Sequence, residues 1–154
     1  MPTLRETPYS AFNFLVSVGE NSGKEFQAGF AEVSGLSAEV TLAEYRNGNE
    51  NTNYLRKIPG INKSGDVTLK RGVIGATNLW SWLNELRDGK VDDGKRTVTV
   101  HLQNEDRSEI VVSWKLTNAF PSKWTGPTLA AKGGGDVAME ELVLAVEFIE
   151  MDEQ

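Results

Sequence analysis

The chain has 154 residues, 22 acidic against 16 basic side chains for a formal charge of -6, and no cysteine. That length suits one domain burying roughly 68–70% of its unfolded surface, and the missing thiols exclude disulfides, thiolate metal sites and a cysteine nucleophile. The acidic balance excludes a dedicated, tight binder of the nucleic-acid backbone, which needs clustered Lys and Arg.

Phe12, Phe14, Val16 and Val18 alternate with Asn13 and Ser17, which predicts a half-buried strand, and Glu20-Asn21-Ser22-Gly23 supplies a turn. A second strand is expected over 26–33. Ser34-Gly35 reads as a sharp bend or bulge before a clearer strand, where Leu36, Ala38, Val40 and Leu42 share a face opposite Ser37, Glu39 and Thr41. Residues 46–60 are largely polar and read as one long arm or loop, of a length usually functional or disordered in compact domains. Tyr54, Leu55 and Ile58 argue against plain disorder, since they lose little by docking on a neighbour.

Val67 and Leu69 then alternate with Asp66, Thr68 and Lys70 in a strand that Gly72 ends. The period changes next. Leu79, Trp82, Leu83 and Leu86 fall on one helical stripe, with Thr77 as N-cap and Gly89 as the left-handed stop. Val98, Val100 and Leu102, the turn Asn104-Glu105-Asp106-Arg107, and Ile110, Val112, Trp114 and Leu116 make a β-hairpin. Residues 118–135 are rich in Pro, Gly and Ser and read as a loop. Residues 136–151 return to alternation, with Leu142, Leu144, Val146 and Phe148 on one face and Glu141 and Glu147 on the other. The expected fold is mainly β over residues 1–154: an antiparallel β-sandwich or barrel of six or seven strands, one flanking α-helix and a long extended arm.

The chemical inventory is thin. His101 is the one histidine, so a histidine metal site or a Ser-His-Asp triad fails for lack of parts. Asp92-Asp93 and Glu140-Glu141 are neighbours, and neighbours on a strand point to opposite faces. Lys132-Gly133-Gly134-Gly135 places its lysine before the glycines, the reverse of a phosphate-cradling loop, and reads as a connector. Asn62-Lys63-Ser64 matches a glycosylation sequon that matters only in a secretory compartment. Trp82 and Trp114 fit core stripes; Trp80 and Trp124 fall off them, as packing residues at a subunit contact or half-exposed side chains. No catalytic residue, metal or cofactor is expected. Residues 1–19 carry no basic leader or cleavage site, and no stretch reaches the roughly 20 apolar residues that span a bilayer, so cytoplasmic synthesis without membrane insertion by this chain is expected.

Several segments occur in a recognisable order: Tyr9-Ser10-Ala11-Phe12-Asn13-Phe14-Leu15-Val16, Phe30-Ala31-Glu32-Val33-Ser34-Gly35-Leu36, Glu44-Tyr45-Arg46-Asn47-Gly48-Asn49 and Lys57-Ile58-Pro59-Gly60. Val67-Thr68-Leu69-Lys70-Arg71-Gly72, Leu79-Trp80-Ser81-Trp82, Asn118-Ala119-Phe120-Pro121, Trp124-Thr125-Gly126-Pro127 and Asp136-Val137-Ala138-Met139-Glu140-Glu141-Leu142 continue it. The set resembles the tail tube family of contractile-tailed phages and phage-like contractile injection systems over nearly the whole chain.

The resemblance implies hexameric rings stacked into a hollow tube, with sheath, baseplate and tube-initiator proteins as partners. Cargo, protein or DNA, would pass through the lumen, and the particle would be a phage tail or a released injection machine. In that setting Tyr45, Arg46, Asn47, Gly48, Tyr54, Leu55, Lys57, Ile58 and Pro59 are the candidate inter-ring contacts. Ser37, Glu39 and Thr41, with Asp66, Thr68 and Lys70, are the candidate lumen residues, because each set lies opposite an apolar row. A type VI secretion tube and, further off, a small-ligand-binding β-barrel are the competing expectations.

Overall fold

The computed structural model describes residues 6–19, 25–73, 78–133 and 137–153. The proposed turn at Glu20-Asn21-Ser22-Gly23 and the Thr77 cap lie outside them.

Two sheets share one long strand. The first runs in the order β2 (Glu25–Ala28), β1 (Phe14–Gly19), β7 (Arg96–Gln103), β8 (Ile110–Thr125), with β10 (Phe148–Glu153) on the far side of the first half of β8. The second half of β8 pairs with β9 (Met139–Ala145), which pairs with β6 (Val67–Gly72), which pairs with β3 (Glu32–Ser34). All of these pairings are antiparallel. The Pro, Gly and Ser of residues 118–135 suggest that this strand ends near 117. Instead β8 continues through Asn118, which turns the chain at φ 53, and tolerates Pro121 because the ladder slips a residue between Pro121 and Lys123.

The alternating rows supply the core between the sheets. Val16, Val18, Val98, Val100 and Leu116 of the first sheet and Val67, Leu69, Leu142 and Leu144 of the second are buried together. Each such side chain contributes about 1.5–3 kcal/mol by leaving water. Helix α1 (Asn78–Arg87) lays Leu79 and Trp82 on this cluster. It ends where Gly89, at φ +88, lets its own N–H reach Leu86 O and the Lys90 N–H reach Glu85 O, both at 3.0 Å. A single further turn, α2 (Val91–Gly94), follows; Trp82 Nε1 donates to its Gly94 O at 2.6 Å.

Other expectations needed correction. The strand expected over 26–33 is two, β2 and β3, interrupted over Gly29, Phe30 and Ala31. The last run is also two strands, because the chain bends at Val146 and Glu147; Phe148 is therefore exposed and not in the buried row. Phe12 lies ahead of β1 and is exposed as well. The bend at Ser34-Gly35 is real: Gly35 has φ +87, and a Cβ there would sit 2.2 Å from Asp66 O.

Strands β4 (Ala38–Tyr45) and β5 (Arg56–Ser64) pair only with each other, as a hairpin. Residues 46–60 are thus not one loop: 56–60 belong to a strand, and of the alternating row at 36–42 only Leu36 packs on the core, while Ala38, Val40 and Leu42 lie on an exposed ribbon. Among the described residues no helix is long and apolar enough to cross a membrane.

Candidate assembly interface

The hairpin register explains its local structure. Glu39 faces Lys63, with an ion pair at 3.9 Å, and Glu44 faces Lys57. Between Val40 and Leu42 the register slips: Thr41 Oγ1 donates to Ile61 O at 3.0 Å, and the bulged Gly60 passes so close that a Cβ would meet Thr41 Oγ1 at 2.8 Å. The tip, 46–55, is organised by its own side chains. Arg46 donates from Nε to Thr52 O at 3.1 Å and from Nη2 to Glu50 O at 3.3 Å; Arg56 pairs with Glu50 at 3.1 Å, and the Tyr45 hydroxyl donates to Asn47 Oδ1. Gly48 sits in the turn.

Residues directly opposite share a face. One face carries Glu39, Thr41, Ala43 and Tyr45 with Arg56 and Ile58; the other carries Val40, Leu42 and Glu44 with Pro59 and Lys57. Both faces are wet. Every residue of β4, and every residue of β5 but Ser64, is exposed, including Leu42 at 60% and Ile61 at 80%; Tyr54 at the tip stands at 67%. A two-stranded hairpin is marginally stable alone in water, and apolar side chains collected on one exposed element mark an interaction surface.

The structure brings all nine expected inter-ring residues, Tyr45, Arg46, Asn47, Gly48, Tyr54, Leu55, Lys57, Ile58 and Pro59, onto the distal half of this hairpin. The two lumen sets meet only at the root of the hairpin, where the Gly65 N–H, next to Asp66, donates to Ser37 O at 3.2 Å. Glu39 and Thr41 are on the ribbon, with Ser37 just before it, whereas Asp66, Thr68 and Lys70 belong to the edge region of the second sheet, where Lys70 pairs with Glu32 at 3.6 Å.

The sequence reading missed two features. A cleft of about 750 Å³ lies between the 126–133 loop and the start of β9, lined by Glu32, Lys70, Leu129, Val137 and Glu141 among others. Its floor is tied to a buried polar network. Arg71 Nε donates to Glu140 Oε1 at 2.5 Å, Arg71 Nη2 donates to Asn78 Oδ1 at 2.7 Å, and Trp124 Nε1 reaches Glu140 Oε2 at 3.3 Å. Only the oddity of Arg71 and Glu140 at positions in register with buried rows hinted at it. Trp80 and Trp124, which fit no core stripe, pack edge-on against each other with ring centres 5.0 Å apart. His101 Nδ1 is 2.7 Å from Ser113 Oγ, and among the described residues no group of three or more His, Asp or Glu is placed to hold a metal.

An antiparallel β-sandwich that projects an uncovered, partly apolar hairpin has the form of a structural subunit with a surface open to a partner. The family of the T4-like virus tail tube protein gp19 matches residues 10–150. The tube–sheath complex of an extracellular contractile injection system, PVC in its extended state, contains a chain 33% identical, with TM-score 0.82 over 97% of this chain and 94% of that one. The tube-terminating cap of the anti-feeding prophage contains one 27% identical, with TM-score 0.84 over 100% and 97%. Hcp1 from Flavobacterium johnsoniae, 16% identical over 91% of this chain and 96% of that one, with TM-score 0.50, shares the fold alone. No curated protein matches the sequence. The chain belongs to the T4-like tail tube family and is a tail tube protein of the contractile injection type.

Proposed function

We propose that copies of this chain close into hexameric rings that stack into the inner tube of a contractile injection machine. The observation that carries this reading is the β4–β5 hairpin, whose apolar residues are exposed on both faces and gain by docking on a neighbouring subunit. Ring closure also covers the edge strands β2 and β3, which otherwise invite uncontrolled pairing. Sheath and baseplate proteins are the partners, in keeping with the relatives found in sheath–tube and baseplate complexes, and a tube initiator joins them. The chain is made in the cytoplasm and works in a phage tail or a released particle.

Its role is structural and conductive, without catalysis. The wet positions Ser37, Glu39 and Thr41, or Asp66, Thr68 and Lys70, line the lumen, where acidic side chains repel a nucleic-acid backbone and limit adhesion in transit. A ligand-binding barrel needs an open apolar interior; here that volume is filled by Leu69, Leu116, Leu142, Leu144 and Trp82. The test is the assembly state of the purified protein by light scattering and negative-stain imaging, alone and with sheath and initiator. Rings or tubes are expected. A single charge reversal at Glu39 or Asp66 that alters cargo retention assigns that set to the lumen.

A further inference from the structure

We infer that the cleft between the 126–133 loop and the start of β9 is the socket for the hairpin tip of a second copy of this chain. The inference rests on the tube reading and adds the receiving surface to it.

The hairpin needs a counterpart with three properties: room for aromatic and aliphatic side chains, apolar walls that are themselves uncovered, and negative charge. The last follows from its own composition. In an acidic chain, the segment from Tyr45 to Lys57 carries Arg46, Arg56 and Lys57 against Glu50 alone, three basic side chains to one acidic. The cleft matches each requirement. It encloses about 750 Å³, its rim presents Leu129 at 81% and Val137 at 73% exposure, and its lining carries Glu32, Glu140 and Glu141 against Lys70. The segment and the lining are thus opposite in sign, three basic to one acidic on the hairpin and three acidic to one basic in the cleft.

Their partnerships sharpen the match. Glu140 is held by Arg71 and Glu32 by Lys70 at 3.6 Å; Glu141, opposite Lys70 in the β6–β9 register, is the acid left to meet an incoming cation. Its opposite number is Lys57, exposed on the face that also carries Leu42 and Pro59. Tyr54 and Leu55, both exposed at the tip, are the side chains that enter the apolar rim. The floor of the socket is braced: the Arg71, Glu140, Asn78 and Trp124 network joins β6, β9, α1 and β8 beneath it, so the arriving hairpin meets a preformed floor and loses less to ordering there.

The absence of cysteine makes the test clean. Y54C and L129C are prepared separately, mixed, assembled and oxidised; a disulfide forms only when the two backbones approach within about 7 Å. A covalent dimer is expected from the mixture and from neither variant alone. In parallel, E141K weakens assembly on the order of tenfold, as like charges meet at the socket, and adding K57E restores it. Tubes that form normally but give no Y54C–L129C adduct, while Y54C bonds to a cysteine at T117C on the first sheet, overturn the socket and leave the tube reading standing. A K57E change that deepens the E141K defect also overturns it. Failure of the unaltered chain to form rings or tubes with its sheath and initiator overturns the tube reading itself.

Discussion

Glu140→Ala removes the carboxylate that accepts from Arg71 Nε at 2.5 Å and from Trp124 Nε1 at 3.3 Å. The Arg71 side chain is only 4% exposed, so its charge stays buried when this carboxylate goes, with the neutral Asn78 Oδ1 and the Phe30 ring among its remaining partners. Deleting one member of a buried ion pair costs about 3–5 kcal/mol. For a chain of this size each kcal/mol moves Tm by about 2–4 °C, so a fall of about 6–20 °C is expected. Arg71→Met combined with Glu140→Leu removes both charges and recovers much of the loss, because the desolvation cost disappears along with the attraction. The assay is thermal unfolding of the unassembled chain by circular dichroism, since ring contacts would add stability of their own. A Glu140→Ala melt within about 2 °C of the parent, or a double variant no better than the single, refutes the reasoning.

Gly35→Ala should destabilise the urea-unfolding midpoint far more than Gly89→Ala. Both glycines have positive φ, but a Cβ at Gly35 strikes Asp66 O at 2.2 Å while open space surrounds Gly89, which loses about 1 kcal/mol for its backbone alone. Equal effects would refute the close-contact argument. Leu42→Ser and Ile61→Ser should leave the unassembled chain within about 0.5 kcal/mol of the parent yet abolish tube formation; a large loss of monomer stability would mean the hairpin packs on its own subunit. Acid sensitivity follows from Glu147 and Asp106. The Asn118 amide at 2.8 Å, and after it Lys95 at 3.0 Å, hold the Glu147 carboxyl below its ordinary value of 4.5; the Ser108 hydroxyl and N–H hold Asp106 below its ordinary 3.8. A lowered folded value means that the stabilisation is complete above the ordinary value and is lost as pH falls through the folded one. Glu147→Gln should therefore flatten the acid limb of a stability–pH curve, and an unchanged limb would refute the assignment.

The core was legible because period-two rows such as Val16 and Val18, Val98 and Val100, or Leu142 and Leu144 encode a buried sheet face directly. The same signal misled at Val40 and Leu42. Alternation states that one face differs from the other but not that anything covers it, and here both faces are exposed in the single chain. Strand β5 was hidden because Pro59 and Gly60 sit at its bulge and erase the alternation. Its trace lay in the charges, where Glu39 and Glu44 stand opposite Lys63 and Lys57 about the tip. The second half of β8 was hidden for a related reason, since Asn118 and Pro121 imitate a loop while serving a strand that changes sheets. The cleft was not legible at all: it arises where the 126–133 loop meets β9, and no local pattern encodes that encounter.

The most direct test of the tube assignment is electron cryomicroscopy of the protein purified together with its sheath and initiator. The account predicts sixfold rings stacked into a hollow tube, with each β4–β5 hairpin covered by a neighbouring subunit. A chain that remains a monomer in the presence of those partners, its hairpin still exposed, would contradict it.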